Sequence, residues 1–148
     1  SDLDVILAGR RINDGMGSHV ARRVAKLMAR QNLPTAGAKV LVLGLAFKEN
    51  CPDVRNTRVV DIVNELRSYN AQGDVHDPWV DADEARHEYG LDLVAEPLAG
   101  HYDAVILAVA HREFTERGAA GVRALGKPGA VVFDVKRTLP RDAVDDCL

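Results

Sequence analysis

The sequence predicts an α/β fold, a doubly wound parallel sheet preceded by a long N-terminal helix, and three observations lead there. Val40-Leu41-Val42-Leu43 and Asp103-Ala104-Val105-Ile106-Leu107-Ala108-Val109 are continuous apolar runs with β-branched content, the mark of strands buried on both faces. Between such runs lie segments whose apolar residues recur every three or four positions, the helical period. Alternation of the two kinds of segment argues for crossover connections and hence a parallel sheet. A chain of 148 residues fits one such core.

The first helix is expected from about Ile12 to Gln31, with Val20, Val24, Leu27 and Met28 on its inner face and Arg22, Arg23, Lys26 and Arg30 outside. Asn13 or Asp14 is its expected N-cap, with Gly15 and Gly17 weakening the first turn, and Asn32-Leu33-Pro34 stops it. Upstream, the apolar Val5-Ile6-Leu7-Ala8 followed by Gly9-Arg10-Arg11 reads as the middle of a larger protein. Gly44 ends the first strand, and a polar loop, Lys48 to Asn56, precedes a helix from Thr57 to Tyr69 that Asn70 closes. Asp74 to Asp77 is a short second strand with Pro78 in its turn, completing a βαβ unit with a right-handed crossover. A short acidic helix from Asp81 to Tyr89 ends on Gly90, and Leu91 to Val94 reads as an edge strand. After the strand at Asp103 to Val109, a weaker helical pattern interrupted by Gly118 and Gly121 runs to Leu125. The turn Lys127-Pro128-Gly129 then leads to the last core strand, Ala130 to Asp134.

Composition excludes several classes of function. Charged residues make up 28% and the formal charge is -3, with no basic block, so a nucleic-acid partner is not expected. No stretch approaches the ~18 apolar residues of a membrane span, and the chain reads as cytoplasmic. Cys51 and Cys147 lie far apart without CxxC spacing, which argues against a metal site or a disulfide framework.

Ligands of open α/β sheets bind beyond the carboxyl ends of the strands, where the loop after Gly44 must sit. A dinucleotide-binding turn needs G-x-G-x-x-G there, and Gly44-Leu45-Ala46-Phe47-Lys48 has a single glycine. The domain is therefore Rossmann-like without being the one that holds NAD. An anion would be met by side chains, with Lys48 as a point charge and Arg55 as a fork, although Asp53 and Arg55 bracing the loop is the plainer alternative. Arg137, just beyond Phe133-Asp134, reaches the same rim if strand order allows. His76 and His111 read as satisfied histidines at strand ends, and no base can be placed beside Cys51.

Four motifs in order, Gly9-Arg10-Arg11-Ile12-Asn13-Asp14-Gly15-Met16, Gly44-Leu45-Ala46-Phe47-Lys48 with Asp53-Val54-Arg55-Asn56-Thr57, His76-Asp77-Pro78, and Phe133-Asp134-Val135-Lys136-Arg137, resemble the C-terminal part of the UDP-glucose/GDP-mannose dehydrogenase family. The first is most similar to the bacterial branch acting on UDP-N-acetylhexosamines for cell-surface polysaccharides. The resemblance implies NAD-dependent oxidation of a sugar C6 alcohol to a carboxylate by a homodimer whose NAD domain, catalytic cysteine and assisting lysine and aspartate lie upstream of Ser1. It divides the chain into the end of a central dimerising region, residues 1–31, and a UDP-sugar-binding Rossmann-like domain, residues 38–148.

By the same resemblance Phe47 and Lys48 contact substrate, Asp53 and Arg55 shape the loop, Arg137 reaches the nucleotide sugar, and Arg10 and His19 reach a neighbouring subunit's site. The chain alone is then expected to bind no cofactor and to catalyse nothing, and Cys51-Pro52 departs from many relatives, which have threonine there. Two rival readings stand beside this one: a free-standing nucleotide- or coenzyme-binding regulatory module, and a dimerisation scaffold built on the first helix.

Overall fold

The structure is a computed structural model that describes residues 2–148, with side chains described from Gly15 onward. A long helix α1 (Asp2–Arg30) is followed by β1 (Lys39–Leu43), α2 (Val59–Ser68), β2 (Gln72–His76), α3 (Ala82–Tyr89), β3 (Tyr102–Leu107), α4 (Arg112–Arg123), β4 (Gly126–Asp134) and β5 (Asp146–Cys147), with a 3-10 turn at Arg141–Ala143. All five strands are parallel, in the order β2-β1-β3-β4-β5. The chain steps from β1 to one side and then returns to the other, so the topological switch point lies between β1 and β3.

The sheet is buried on both faces, and alternation along β1 shows how. Val40 and Val42 join Val20, Val24 and Met28 of α1 and Val63 and Leu66 of α2, while Leu41 and Leu43 join Phe114 and Val122 of α4 on the opposite face. Each of the four β1 side chains is 0% exposed. At roughly 1.5–3 kcal/mol per fully buried aliphatic side chain, they outweigh any single loop contact and fix where the loop after β1 begins.

Several boundaries differ from expectation, for physical reasons. Helix α1 begins well before Asn13 and Asp14, so neither caps it. Gly17 lies inside the helix where α2 crosses: a Cβ there would fall 2.5 Å from the Asp61 Cβ and 3.0 Å from the α2 backbone. The stop is as expected, with Asn32 left-handed (φ 60°) and the Leu33 N–H donating to the Met28 carbonyl at 2.8 Å. Asn70 closes α2 in the same way (φ 64°), and Asp81 caps α3, whose C-terminal Gly90 is left-handed. The expected edge strand at Leu91 to Val94 is reduced to one bridge between Leu93 and Val75. Lys127-Pro128-Gly129, expected as a turn, falls within β4, where the register to β3 shifts. Helix α4 is broken at Gly118 (φ 73°, ψ 175°). The sequence gives no sign of strand β5, because two residues are too few to carry a periodicity; the Val132 N–H, donating to Asp145 Oδ2 at 2.7 Å, and the Asp145 N–H, donating to the Val132 carbonyl, hold it to β4.

Candidate functional site

At the end of β1 the chain turns on Gly44 (φ 101°), whose missing side chain lets the loops after β1 and β3 meet: a Cβ would lie 2.5 Å from that of Val109. The next two backbone donors, Leu45 and Ala46 N–H, both donate to Asp77 Oδ2, at 2.7 and 2.9 Å. Those are the groups a glycine-rich turn would present to a pyrophosphate, and here a carboxylate of the chain itself takes them. The residues do not fit a dinucleotide at this turn.

Beyond Ala46 the loop closes on itself. Phe47 N–H donates to the Asp53 carbonyl at 2.7 Å, and Arg55 forks onto the Asp53 carboxylate from Nε at 3.0 Å and from a terminal nitrogen at 3.3 Å. The Arg55 side chain, hydrogen-bonded to it, holds the Asp53 carboxyl below the usual range. Tyr89 of α3 donates its hydroxyl to the Val54 carbonyl, and Thr57 Oγ1 accepts the Val59 N–H at the start of α2.

Between this loop, α1 and the ends of β3 and β4 lies a cleft of about 200 Å³. Met16, Val20, Ile62 and Val109 give it an apolar floor; Phe47, Lys48, Arg58 and Lys136 line its mouth, with Glu49 as the one acidic neighbour among the described residues. Phe47 is 55% exposed, although aromatic residues in such loops more often join the core. A larger hollow of about 470 Å³ beside β2 is lined by Glu96 and Glu113 as well as Arg117. Its carboxylates oppose a diphosphate, whereas the smaller cleft has the charge for one.

The structure brings Phe47 and Lys48 together with two cations that sequence reasoning passed over. Arg58 lies at the N-cap of α2, and Lys136 directly precedes Arg137. Arg55 does not line the cleft; its side chain is 80% exposed against Asp53. Arg137 does not line it either. Its backbone is left-handed (φ 54°), its Nε donates to the Leu148 carbonyl, and it borders a separate hollow beside β5 with Leu139 and Val144. His19 is exposed on α1 outside the lining residues, and the Arg10 side chain lies outside the described residues. The buried Asp134 shapes this turn by accepting the Thr138 and Leu139 N–H groups at 3.0 and 2.7 Å.

Asp77 and His111 form a pair with side chains 0% exposed, Nε2 to Oδ2 at 2.9 Å. Burial raises the Asp77 pKa, but His111 and the N–H groups of Leu45, Ala46 and Trp79 together bring it below the usual carboxylate range. Among the described residues no group of His, Cys, Asp and Glu could hold a metal, and no helix is long and apolar enough to cross a membrane.

Residues 41–141 match the UDP binding domain of the UDP-glucose/GDP-mannose dehydrogenase family. The chain belongs to that family. It is 54% identical over 142 residues to the UDP-N-acetyl-D-glucosamine 6-dehydrogenase of Pseudomonas aeruginosa, covering 96% of this chain and 34% of that protein. Against the enzyme of the same name from Salmonella typhi it is 47% identical, covering 96% of this chain and 33% of that one. The chain thus spans about a third of the length of these dehydrogenases. Among solved structures, the NDP-N-acetyl-D-galactosaminuronic acid dehydrogenase of Methanosarcina mazei superposes with a TM-score of 0.79 at 23% identity, over 93% of this chain and 28% of that one, a likeness of fold. Phe47 and Lys48 stand at the cleft mouth, at the switch point of the sheet.

Proposed function

We propose that this chain is the nucleotide-sugar-binding portion of an NAD-dependent UDP-N-acetylhexosamine 6-dehydrogenase acting in polysaccharide biosynthesis in the cytoplasm. The observation that carries the reading is the convergence of Lys48, Arg58 and Lys136 on one apolar-floored cleft within the family's UDP binding domain. The three cations complement a diphosphate, and Phe47 with the floor residues offers apolar surface to a base or sugar ring. The chain's contribution to catalysis is then to bind and orient, holding the sugar where groups contributed by the rest of the enzyme oxidise it. NAD belongs to that other part, since the Leu45 and Ala46 donors are already engaged by Asp77.

Residues 1–31 form the end of the dimerising region in this reading and residues 38–148 the UDP-sugar domain. The C-terminal half of α1 packs into the sheet's core, with Val20, Val24 and Met28 fully buried, so the helix couples the two.

Isothermal titration of the chain with UDP, GDP, UDP-N-acetylglucosamine and NAD, beside a Lys48→Ala variant, tests the reading. Saturable binding of UDP and the UDP-sugar, weakened by loss of Lys48, with none for NAD, is the expected result. Binding of NAD in place of UDP would overturn it in favour of a coenzyme module, and silence from every ligand would favour a scaffold.

A further inference from the structure

The exposed Phe47-Lys48 pair is held in place through the backbone on either side of it. On its N-terminal side, Leu45 and Ala46 N–H reach Asp77 Oδ2. On its C-terminal side, Asn50 N–H donates to His111 Nδ1 at 2.9 Å, while Asn50 Oδ1 accepts the N–H of Arg112, the first residue of α4, at 2.8 Å. The two anchors meet, because His111 Nε2 lies 2.9 Å from the same Asp77 oxygen. A ring nitrogen that accepts from a backbone N–H carries no proton. The proton of His111 is therefore on Nε2, donated to Asp77, and the imidazole is neutral. Its orientation is set by Trp79, stacked at 6.0 Å, and Phe114, tilted at 5.6 Å.

None of these three side chains lines the cleft. Their hydrogen bonds nonetheless bracket the residues that do. We propose that Asp77, His111 and Asn50 form a positioning relay that sets the Phe47-Lys48 loop for the diphosphate, and so governs nucleotide affinity from outside the cleft. The proposal rests on the nucleotide-sugar reading of that cleft.

Two substitutions divide the relay at His111. The amide of His111→Gln reaches the former Nε2 position and keeps the bond to Asp77 but releases Asn50 N–H. The shorter His111→Asn places an acceptor near the former Nδ1, keeping Asn50 and forgoing Asp77. In His111→Gln, hydrogen exchange at the Asn50 amide should quicken by about tenfold or more and UDP affinity fall by about tenfold, the scale of one hydrogen bond, with β1 and β3 amides unchanged. In His111→Asn, Asn50 protection and most UDP affinity should persist although the melting temperature falls further. A merely structural histidine would make affinity and melting temperature fall together.

Asn50→Gly, at an exposed position whose φ of 54° glycine accepts, cuts only the Arg112 link and should also loosen the loop and weaken UDP. In wild type, the imidazole nitrogen spectrum should show the Nε2–H tautomer, and an Nδ1–H or doubly protonated ring would overturn the relay. Unchanged Asn50 exchange in His111→Gln would overturn it too, as would a loosened loop that binds UDP as before. Failure of the wild-type chain to bind UDP would count against the nucleotide-sugar reading instead, leaving the exchange and tautomer results to decide on the relay.

Discussion

Replacing Asp77 by alanine should be among the most damaging single changes in this chain. The carboxylate accepts Leu45 N–H, Ala46 N–H and His111 Nε2–H on one oxygen and Trp79 N–H on the other, and its side chain is 0% exposed. In Asp77→Ala the three donors on Oδ2 lose their acceptor in a buried place, at about 1–3 kcal/mol each, or about 3–9 kcal/mol together. Set against a net stability on the order of 5–15 kcal/mol for a domain, that is a large fraction. Asp77→Asn keeps an oxygen for those donors but turns an NH2 toward Trp79 N–H, so about 1–3 kcal/mol is expected.

Urea denaturation at pH 7 measures both, provided the m-value holds constant. The order wild type, Asn, Ala is expected, with at least about 2 kcal/mol between the variants. Alanine within about 1 kcal/mol of wild type would refute the reasoning, since it would mean that water or rearrangement satisfies all three donors. A pH series adds a second check. The folded Asp77 pKa lies below its unfolded value of about 3.9, so the unfolded chain takes up the proton first as pH drops. Its stabilisation is whole above about pH 4 and is lost as pH falls through the folded value. The stability gap between wild type and Asp77→Asn should therefore narrow in that range, at no more than about 1.4 kcal/mol per pH unit, and a gap independent of pH would contradict it.

Three further outcomes follow from the geometry. Gly44→Ala combines a positive φ with a Cβ 2.5 Å from Val109 Cβ and should cost about 2 kcal/mol or more in urea denaturation. Gly17→Ala sets a helix-propensity gain of about 1 kcal/mol against overpacking of about 1–3 kcal/mol where the α2 backbone lies 3.0 Å away. Overpacking wins in this accounting, so the melting temperature should fall, and a rise would show that α1 can slide off α2 freely. Lys136→Ala should weaken UDP by about tenfold and flatten its salt dependence, whereas Arg137→Ala, whose Nε is engaged by the Leu148 carbonyl, should change it by less than about threefold; titration in low and high salt decides between them.

Local burial and local turn chemistry are written in the sequence, and they determined most of the fold. The runs at Val40 to Leu43 and Asp103 to Val109 are strands because a residue buried on both sheet faces must be apolar whatever its neighbours. Asn32, Asn70 and Gly90 end their helices because few residues accept a left-handed backbone. The spaced motifs carried the family in the same way. Tertiary structure alone decided which cations share the cleft. Lys136 and Arg137 are adjacent in sequence, yet the left-handed turn at Arg137 sends its side chain to the β5 edge while Lys136 lines the cleft. Arg55 is held by a carboxylate two residues away, and Arg58, at the start of α2, lines the cleft with Lys48. Gly17 reads as a weak helix start until α2 is laid across it, and His111 as a satisfied histidine until both of its nitrogens have partners on other loops. Such assignments depend on distances between segments far apart in the chain, which strand order sets and periodicity does not encode.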